Sequence, residues 1–347
     1  MNKKILVTGC AGFVGFHLIN RLIKEGYNII GIDNLNDYYD VNLKESRLKE
    51  ATKSAEEVNN FNWKFLKGNI ENRDFLEDIF KKYKPETVFH LAAQAGVRYS
   101  IENPHAYISS NLLGFGNIIE CCRNVGVENF IYASSSSVYG GNQKLPFSEI
   151  DQVNHPVSLY AATKKSNELI AHAYSHLYSI PSIGLRFFTV YGPWGRPDMA
   201  PMLFADAIFN RKPIDIYNYG NMSRDFTFID DIIETLFRLI NKPAMPNQLF
   251  NKKEPDPSTS WCKHRIFNIG NSQKIELMDF IFELENVIGI KAIKNFVPMH
   301  KGDVVSTISD SNLIQSWTGF KPNTSIKSGV KKFIDWYQIY YMNKFKK

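Results

Sequence analysis

The sequence predicts a doubly wound α/β fold on a parallel sheet, with a smaller mixed C-terminal lobe. Three observations carry this. Short apolar runs alternate with amphipathic stretches through the first half. A glycine-spaced turn follows the first apolar run directly. After about residue 187 the texture changes to Pro, Gly, Trp, Asn and Asp with shorter elements. Strand–helix alternation of this kind implies parallel strands joined by crossover helices.

In chain order, Ile5–Thr8 is a continuous apolar run of the length of a buried strand. Gly12–Glu25 is amphipathic and helical, and Asn28–Asp33, with three isoleucines, is the second strand. Asn42–Glu57 is the next helix, Trp63–Lys67 the third strand and Arg73–Tyr83 a helix with one apolar face. Thr87–His90 is the fourth strand, Pro104–Asn124 a long helix opened by proline, and Phe130–Ser134 the fifth strand. Leu159–Tyr178 and Ser182–Phe187 close the series as helix and strand. Residues 1–187 therefore form the larger domain, with returns to its sheet near 227–243 and 264–272. The smaller lobe takes 188–226 and 273–340. Lys242–Lys263, rich in Pro, Asn and Lys, reads as an exposed insertion.

At 347 residues, 44% hydrophobic and 22% charged, the chain is an ordinary soluble globular protein able to bury a large core. The net charge of +6 comes from scattered lysines, which argues against nucleic-acid binding and suits anionic small molecules. Cys10, Cys121, Cys122 and Cys262 have no metal-ligand spacing, so reduced thiols and no metal are expected. Lys3-Lys4 before Ile5–Cys10 superficially resembles a signal segment, but the apolar run is too short. No run reaches membrane-spanning length, and a cytoplasmic protein is expected.

Gly9, Gly12 and Gly15 stand between the first strand and the first helix, around Phe13 and Val14. Such a turn lets a pyrophosphate approach backbone N–H groups at a helix N-terminus. Asp33 ends the second strand, where a carboxylate would accept from the adenosine ribose hydroxyls and repel a 2′-phosphate. NAD binding follows. Tyr160 and Lys164, at i and i+4, share one helix face, and an ammonium beside a phenol favours the phenolate.

Together these residues resemble the extended short-chain dehydrogenase/reductase family, in its nucleotide-sugar epimerase branch. The further motifs are His90-Leu91-Ala92-Ala93, Asn111, Ser134–Gly140, Arg224-Asp225-Phe226 and Gly302-Asp303. Asp33–Asp40, Ala95–Ser100 and Val190–Met199 are most similar to the UDP-glucuronate 4-epimerases of that branch. The resemblance implies a Rossmann domain and a catalytic triad of Ser135, Tyr160 and Lys164. In it Tyr160 is the acid/base at O4, Ser135 holds that hydroxyl, and Lys164 binds the nicotinamide ribose and lowers the tyrosine pKa. It also implies NAD contacts from Asn34, Asn69, Ile70, Leu91, Ala92, Ala93 and Asn111. Asn69 replaces the family's usual Asp, which would alter affinity for the adenine.

Sugar 4,6-dehydratases of the family carry Asp-Glu where this chain has Ser136-Ser137, and uronate decarboxylases carry a Glu at the second position. A hydroxyl cannot replace those bases near neutral pH. Ser136, Ser137, Thr189 and Arg196 are instead expected around a sugar carboxylate, and Arg98, Arg211, Tyr217, Arg224 and Asp303 around the UDP moiety. The expectation is 4-epimerisation of UDP-glucuronate to UDP-galacturonate through a transient 4-keto sugar. The alternatives are a 4-epimerase of UDP-glucose or UDP-N-acetylglucosamine (or its uronic acid), and a non-catalytic cofactor-binding protein. Family resemblance further implies a homodimer through Pro104–Asn124 and Leu159–Tyr178.

Overall fold

The computed structural model describes residues 3–299 and 303–342. Its strands are β1 (Lys4–Thr8), β2 (Asn28–Asp33), β3 (Trp63–Lys67), β4 (Thr87–His90), β5 (Asn129–Ser135), β6 (Ser182–Phe187), β7 (Thr189–Tyr191), β8 (Pro213–Tyr217), β9 (Ser223–Phe228), β10 (His264–Ile269), β11 (Lys274–Glu276) and β12 (Ile293–Val297). Seven of them form one sheet in the order β10-β6-β5-β4-β1-β2-β3, every pair parallel. The order reverses between β1 and β4, the switch point where open α/β sheets leave a crevice beyond their carboxyl ends. Continuous burial of Ile5, Leu6 and Val7 explains the unbroken apolar run of β1, since helices cover both its faces.

Beyond β6 the chain turns at once into β7, which pairs with β9, and β11 joins antiparallel. β8 and β12 form a separate parallel pair. Helix Ile229–Leu239 packs back against helix Phe13–Lys24, with Arg21 and Glu234 in a 3.0 Å ion pair. One apolar cluster runs from β1 through Phe226, Phe228 and Phe280 to Phe333, so the lobe shares its core with the main sheet.

Two expectations are corrected. The long helix over Pro104–Asn124 is α-helical over Pro104–Tyr107, widens to a π-helical stretch over Ile108–Gly114, and resumes over Phe115–Val125. Wide turns of this kind concentrate at functional sites. Here it contains Asn111, and a Cβ on Gly114 would stand 2.6 Å from Ile70 Cδ1. The 242–263 segment is irregular but anchored as well as exposed. Ala244, Ser258 and Ser260 are buried, Ser260 Oγ lies 2.8 Å from His172 Nε2, and Trp261 Nε1 donates to His176 Nδ1 at 3.1 Å. It straps the outer strand β10 onto helix Leu159–Tyr178. All four cysteines are buried and free. Among the described residues no helix is long and apolar enough to cross a membrane, and no group of three potential ligands could hold a metal.

Candidate active site

The turn after β1 is shaped by backbone proximity. Gly9 has φ 71°, and a Cβ there would meet Ala92 N at 2.7 Å; one on Gly15 would meet Gly9 O at 2.1 Å. Helix Phe13–Lys24 starts at Gly12 with no side-chain cap and no acid in its first turn. Its first N–H groups are left for an anionic ligand. Asp33 accepts from Ala11 N at 3.0 Å and Leu35 N at 2.9 Å, tying the glycine turn to the end of β2. Arg47, fully buried, donates to Ala11 O and Tyr39 OH through Nη1 and to Trp194 O and Gly195 O through Nη2. It bolts the glycine turn to the loop carrying Arg196.

At the far end of the same cleft, Ser135 ends β5 and its Oγ accepts from Ser137 N at 3.1 Å, opening a 3-10 turn over Ser136–Tyr139. Ser158 caps helix Leu159–Tyr178, whose first turns carry Tyr160 and Lys164. Tyr160 and Ser135 both line the cleft, and the Ser135 hydroxyl is near enough to act on the Tyr160 phenol. Burial pushes the Tyr160 phenol up, and the Ser135 hydrogen bond and the Arg196 charge only partly offset it. Lys164 is 3% exposed and donates to Ala133 O at 2.8 Å; burial pushes its ammonium down to about 7. In the protein without its cofactor, the cation that acts on Tyr160 is Arg196. Beneath this corner, His90 Nδ1 and Thr8 Oγ1 lie 2.8 Å apart, and Thr8 Oγ1 accepts from Ala92 N at 3.2 Å, fixing the turn after β4. Burial, with Lys164 nearby, pushes His90 down to about 3, so the imidazole is neutral.

These parts line one cleft of about 400 Å³ that runs from the glycine turn to the serines. The sequence matches the family described as GDP-mannose 4,6 dehydratase over residues 6–333. The chain belongs to this family, within the extended short-chain dehydrogenase/reductases. It is 54% identical over 338 residues to protein CapI of Staphylococcus aureus, covering 97% of this chain and 99% of that one. To a probable UDP-glucuronate 4-epimerase of Rhizobium meliloti it is 47% identical over 339 residues, covering 97% and 98%. Among solved structures, UDP-glucuronic acid 4-epimerase from Bacillus cereus, in complex with UDP-glucuronic acid and NAD, superposes with a TM-score of 0.84. That pair is 32% identical over 97% of this chain and 100% of the other.

Within this dehydrogenase/reductase frame most of the predicted residues come together. The cleft is lined by Gly9, Gly12, Phe13, Val14, Gly15, Asp33, Asn34, Asn69, Ile70, Leu91, Ala92 and Ala93, and by Ser135, Ser136, Ser137, Tyr160, Lys164, Thr189 and Arg196. Asn69 Oδ1 accepts from Asn34 Nδ2 at 3.4 Å, a long bond that an adenine amine could replace. Asn111 is a correction. It is 2% exposed, its Oδ1 accepts from Gln94 N at 2.8 Å, and its Nδ2 donates to Gln94 O at 2.9 Å and Thr163 Oγ1 at 3.1 Å. Its polar atoms are committed to the protein, so it supports the cleft wall instead of touching cofactor.

A second cluster lies beside the cleft, following Val97. Arg98 Nη2 pairs with Asp303 Oδ2 at 3.0 Å and its guanidinium sits 4.4 Å from the Tyr217 ring. Arg224 Nη1 donates to Ser223 O and Val305 O, and the Asp303 charge acts on it. Arg211 does not join them. It stands in an exposed turn with φ 52° before β8, whereas Tyr217 is the last residue of that strand. Gly302 lies outside the described residues. Sequence reasoning assigned no role to Tyr38, Lys44, Arg47, Gln94 or Asp198. Tyr38 and Asp198 did fall in segments singled out by resemblance; nothing local marked Arg47, whose burial is a tertiary fact.

Proposed function

We propose that this protein is an NAD-dependent UDP-glucuronate 4-epimerase, forming UDP-galacturonate. The observation that carries the reading is that Ser135, Tyr160 and Lys164 line one cleft, with serines at 136 and 137 where the dehydratases carry their acid and base. The family's description names a dehydratase, but Ser136 and Ser137 leave elimination of water without its acid and base.

The residues fit NAD. The glycine turn is a cradle that any Cβ would fill, the first N–H groups of helix Phe13–Lys24 suit the pyrophosphate, and Asp33 suits the ribose hydroxyls. Held there, NAD⁺ would supply reversible hydride transfer at C4. Tyr160 takes the O4 proton while Ser135 holds that oxygen. A positive ring nearby would add to Arg196 and Lys164 in drawing the phenol back down. Rotation of the 4-keto sugar presents its other face, and Tyr160 returns the proton to O4. Lys164, which lines the cleft, would donate to the nicotinamide ribose. Arg98, Arg224, Tyr217 and Asp303 form the cluster for the UDP moiety, with guanidinium forks suited to phosphate.

A second reading has one observation in its favour: Arg196 is already paired with Asp198, so this guanidinium does not stand open to a sugar carboxylate. That suits a 4-epimerase of UDP-glucose or UDP-N-acetylglucosamine. Incubating purified protein with these UDP-sugars, without added reductant, and identifying the products separates them. Absence of UDP-galacturonate from UDP-glucuronate sinks the first reading. We also infer a homodimer through the paired helices near Leu113, Leu169 and Leu177, each more than half exposed. Exposed apolar residues on two neighbouring helices are the kind of surface a second copy covers.

A further inference from the structure

We propose that Asp198 is an internal counter-carboxylate for Arg196, and that the carboxylate of a bound uronate takes its place on the guanidinium. The exchange rests on the 4-epimerase reading above. Arg196 lines the cleft with Thr189, and its charge acts on Tyr160. Its Nε donates to Asp198 Oδ1 at 3.1 Å and its Nη2 to Oδ2 at 2.5 Å. One edge of the planar fork is thus occupied in the manner of a bidentate ligand carboxylate.

Three features make this pair exchangeable. Both side chains are partly open, 21% exposed for Arg196 and 28% for Asp198, so neither is locked in the core. Tyr38, which also lines the cleft, donates its hydroxyl to Asp198 Oδ2 at 3.1 Å. When Arg196 turns to another carboxylate, Asp198 keeps that donor and gains water, so it is not left buried and unsatisfied. Finally, Arg196 without a counter-charge in a half-closed cleft is costly, and Asp198 balances it until substrate arrives. Two carboxylates on one guanidinium repel each other, which favours exchange over addition. A neutral sugar has nothing to exchange and leaves the Arg196–Asp198 pair intact. Asp198 is therefore a specificity-determining residue: it sets how strongly the cleft prefers an acidic sugar.

The test is calorimetric titration of NAD-loaded wild type and Asp198→Asn with UDP-glucuronate and with UDP-glucose. Removing the competing carboxylate should tighten UDP-glucuronate about tenfold relative to UDP-glucose. An equal change for both sugars, or a selective loss of the uronate, overturns the exchange. In the Arg196→Met background the selective effect of Asp198→Asn should vanish; its persistence also overturns it. Should Asp198→Asn fail to fold, a crystal structure of wild type with NAD and UDP-glucuronate decides. The Nε/Nη2 edge on the sugar carboxylate, with Asp198 held by Tyr38, supports the exchange, and retention of both Arg196–Asp198 bonds overturns it. Wild type that binds UDP-glucose but not UDP-glucuronate takes down the substrate reading and the exchange together. Wild type that binds the uronate with an unchanged ratio in Asp198→Asn loses the exchange alone.

Discussion

Arg186 and Glu168 meet in a two-point ion pair beneath the serine run, Nε to Oε1 at 2.9 Å and Nη2 to Oε2 at 3.0 Å, with both side chains out of solvent. Ser134 Oγ donates to Glu168 Oε1 at 2.8 Å, and Arg186 Nη1 donates to Tyr139 OH at 3.1 Å. The pair thus joins both ends of the Ser135–Ser137 segment to the helix that carries Tyr160 and Lys164. Glu168→Gln leaves the guanidinium buried without its counter-charge, a loss of about 3–5 kcal/mol. Denaturant unfolding should show it. Glu168→Leu with Arg186→Met should recover part of that stability, yet epimerisation should stay depressed because Ser134 loses Glu168 and Tyr139 is left with Asn268 alone. Full recovery of turnover in the double variant would show that the pair serves folding only.

The same pair predicts how stability responds to acid. Burial alone pushes the Glu168 carboxyl up, but the Arg186 charge and hydrogen bonds bring it down to about 2. A carboxylate whose folded pKa lies below its unfolded value of about 4.3 stabilises the fold fully above that value. The contribution is lost as pH falls from there towards 2. Glu168→Gln should therefore flatten the acid limb of the stability–pH curve in that window. An unchanged acid limb would place the titration elsewhere.

Gly15→Ala should cost both stability and NAD binding. The added methyl would stand 2.1 Å from Gly9 O, and the obstacle is backbone, not a yielding side-chain end. Overpacking of this kind costs about 1–3 kcal/mol, and opening the turn moves the N–H groups that a pyrophosphate needs. Thermal denaturation and NAD titration on the same sample measure both losses. A variant that binds NAD at wild-type affinity would show that the turn is not the cradle.

Much of this was legible in the chain, for local reasons. Strands β2, β4 and β6 fall on their predicted residues, because a buried parallel strand needs an apolar run and its turns need Gly, Asn or Asp. The edge strand β3 does so through its alternating Trp63 and Phe65. Tyr160 and Lys164 were legible from helical spacing, and Asp33 from its place at a strand end. What failed was tertiary. The π-helical stretch in 108–114 depends on Asn111 reaching Gln94 and Thr163, and Arg211 misses the Arg98 cluster because β8 begins only at Pro213. The depth at which Tyr160 and Lys164 are buried was equally illegible, because helical spacing gives their shared face but not what covers it.

Lys164→Met should be inactive and more heat-stable at neutral pH. Burial pushes the Lys164 ammonium down to about 7, so the folded state resists a proton that the unfolded chain binds up to about 10.4. In that interval the unfolded state carries more protons, and wild-type stability rises with pH. The advantage of Lys164→Met is therefore greatest at and below pH 7 and fades as pH climbs towards 10. Melting curves across pH for both proteins check the sign. A methionine variant less stable at pH 6.5 would mean that the bond to Ala133 O outweighs the desolvated charge.

Thr189→Ala should let carbon dioxide escape. A 4-keto uronate is a β-keto acid, and it loses CO₂ readily once its carboxylate turns perpendicular to the ring carbonyl. Thr189 opens β7 and lines the cleft with Ser136 and Ser137, offering neutral donors that could hold the carboxylate out of that orientation. Losing one such hydrogen bond should raise the ratio of decarboxylation to epimerisation about tenfold. Anion-exchange separation of the products, with UDP-pentose as the marker, reads the ratio directly. The serines keep their donors in this variant, so epimerisation itself should persist. Clean epimerisation with no pentose would mean that carboxylate orientation is set by Ser136, Ser137 or Arg196 without help from Thr189.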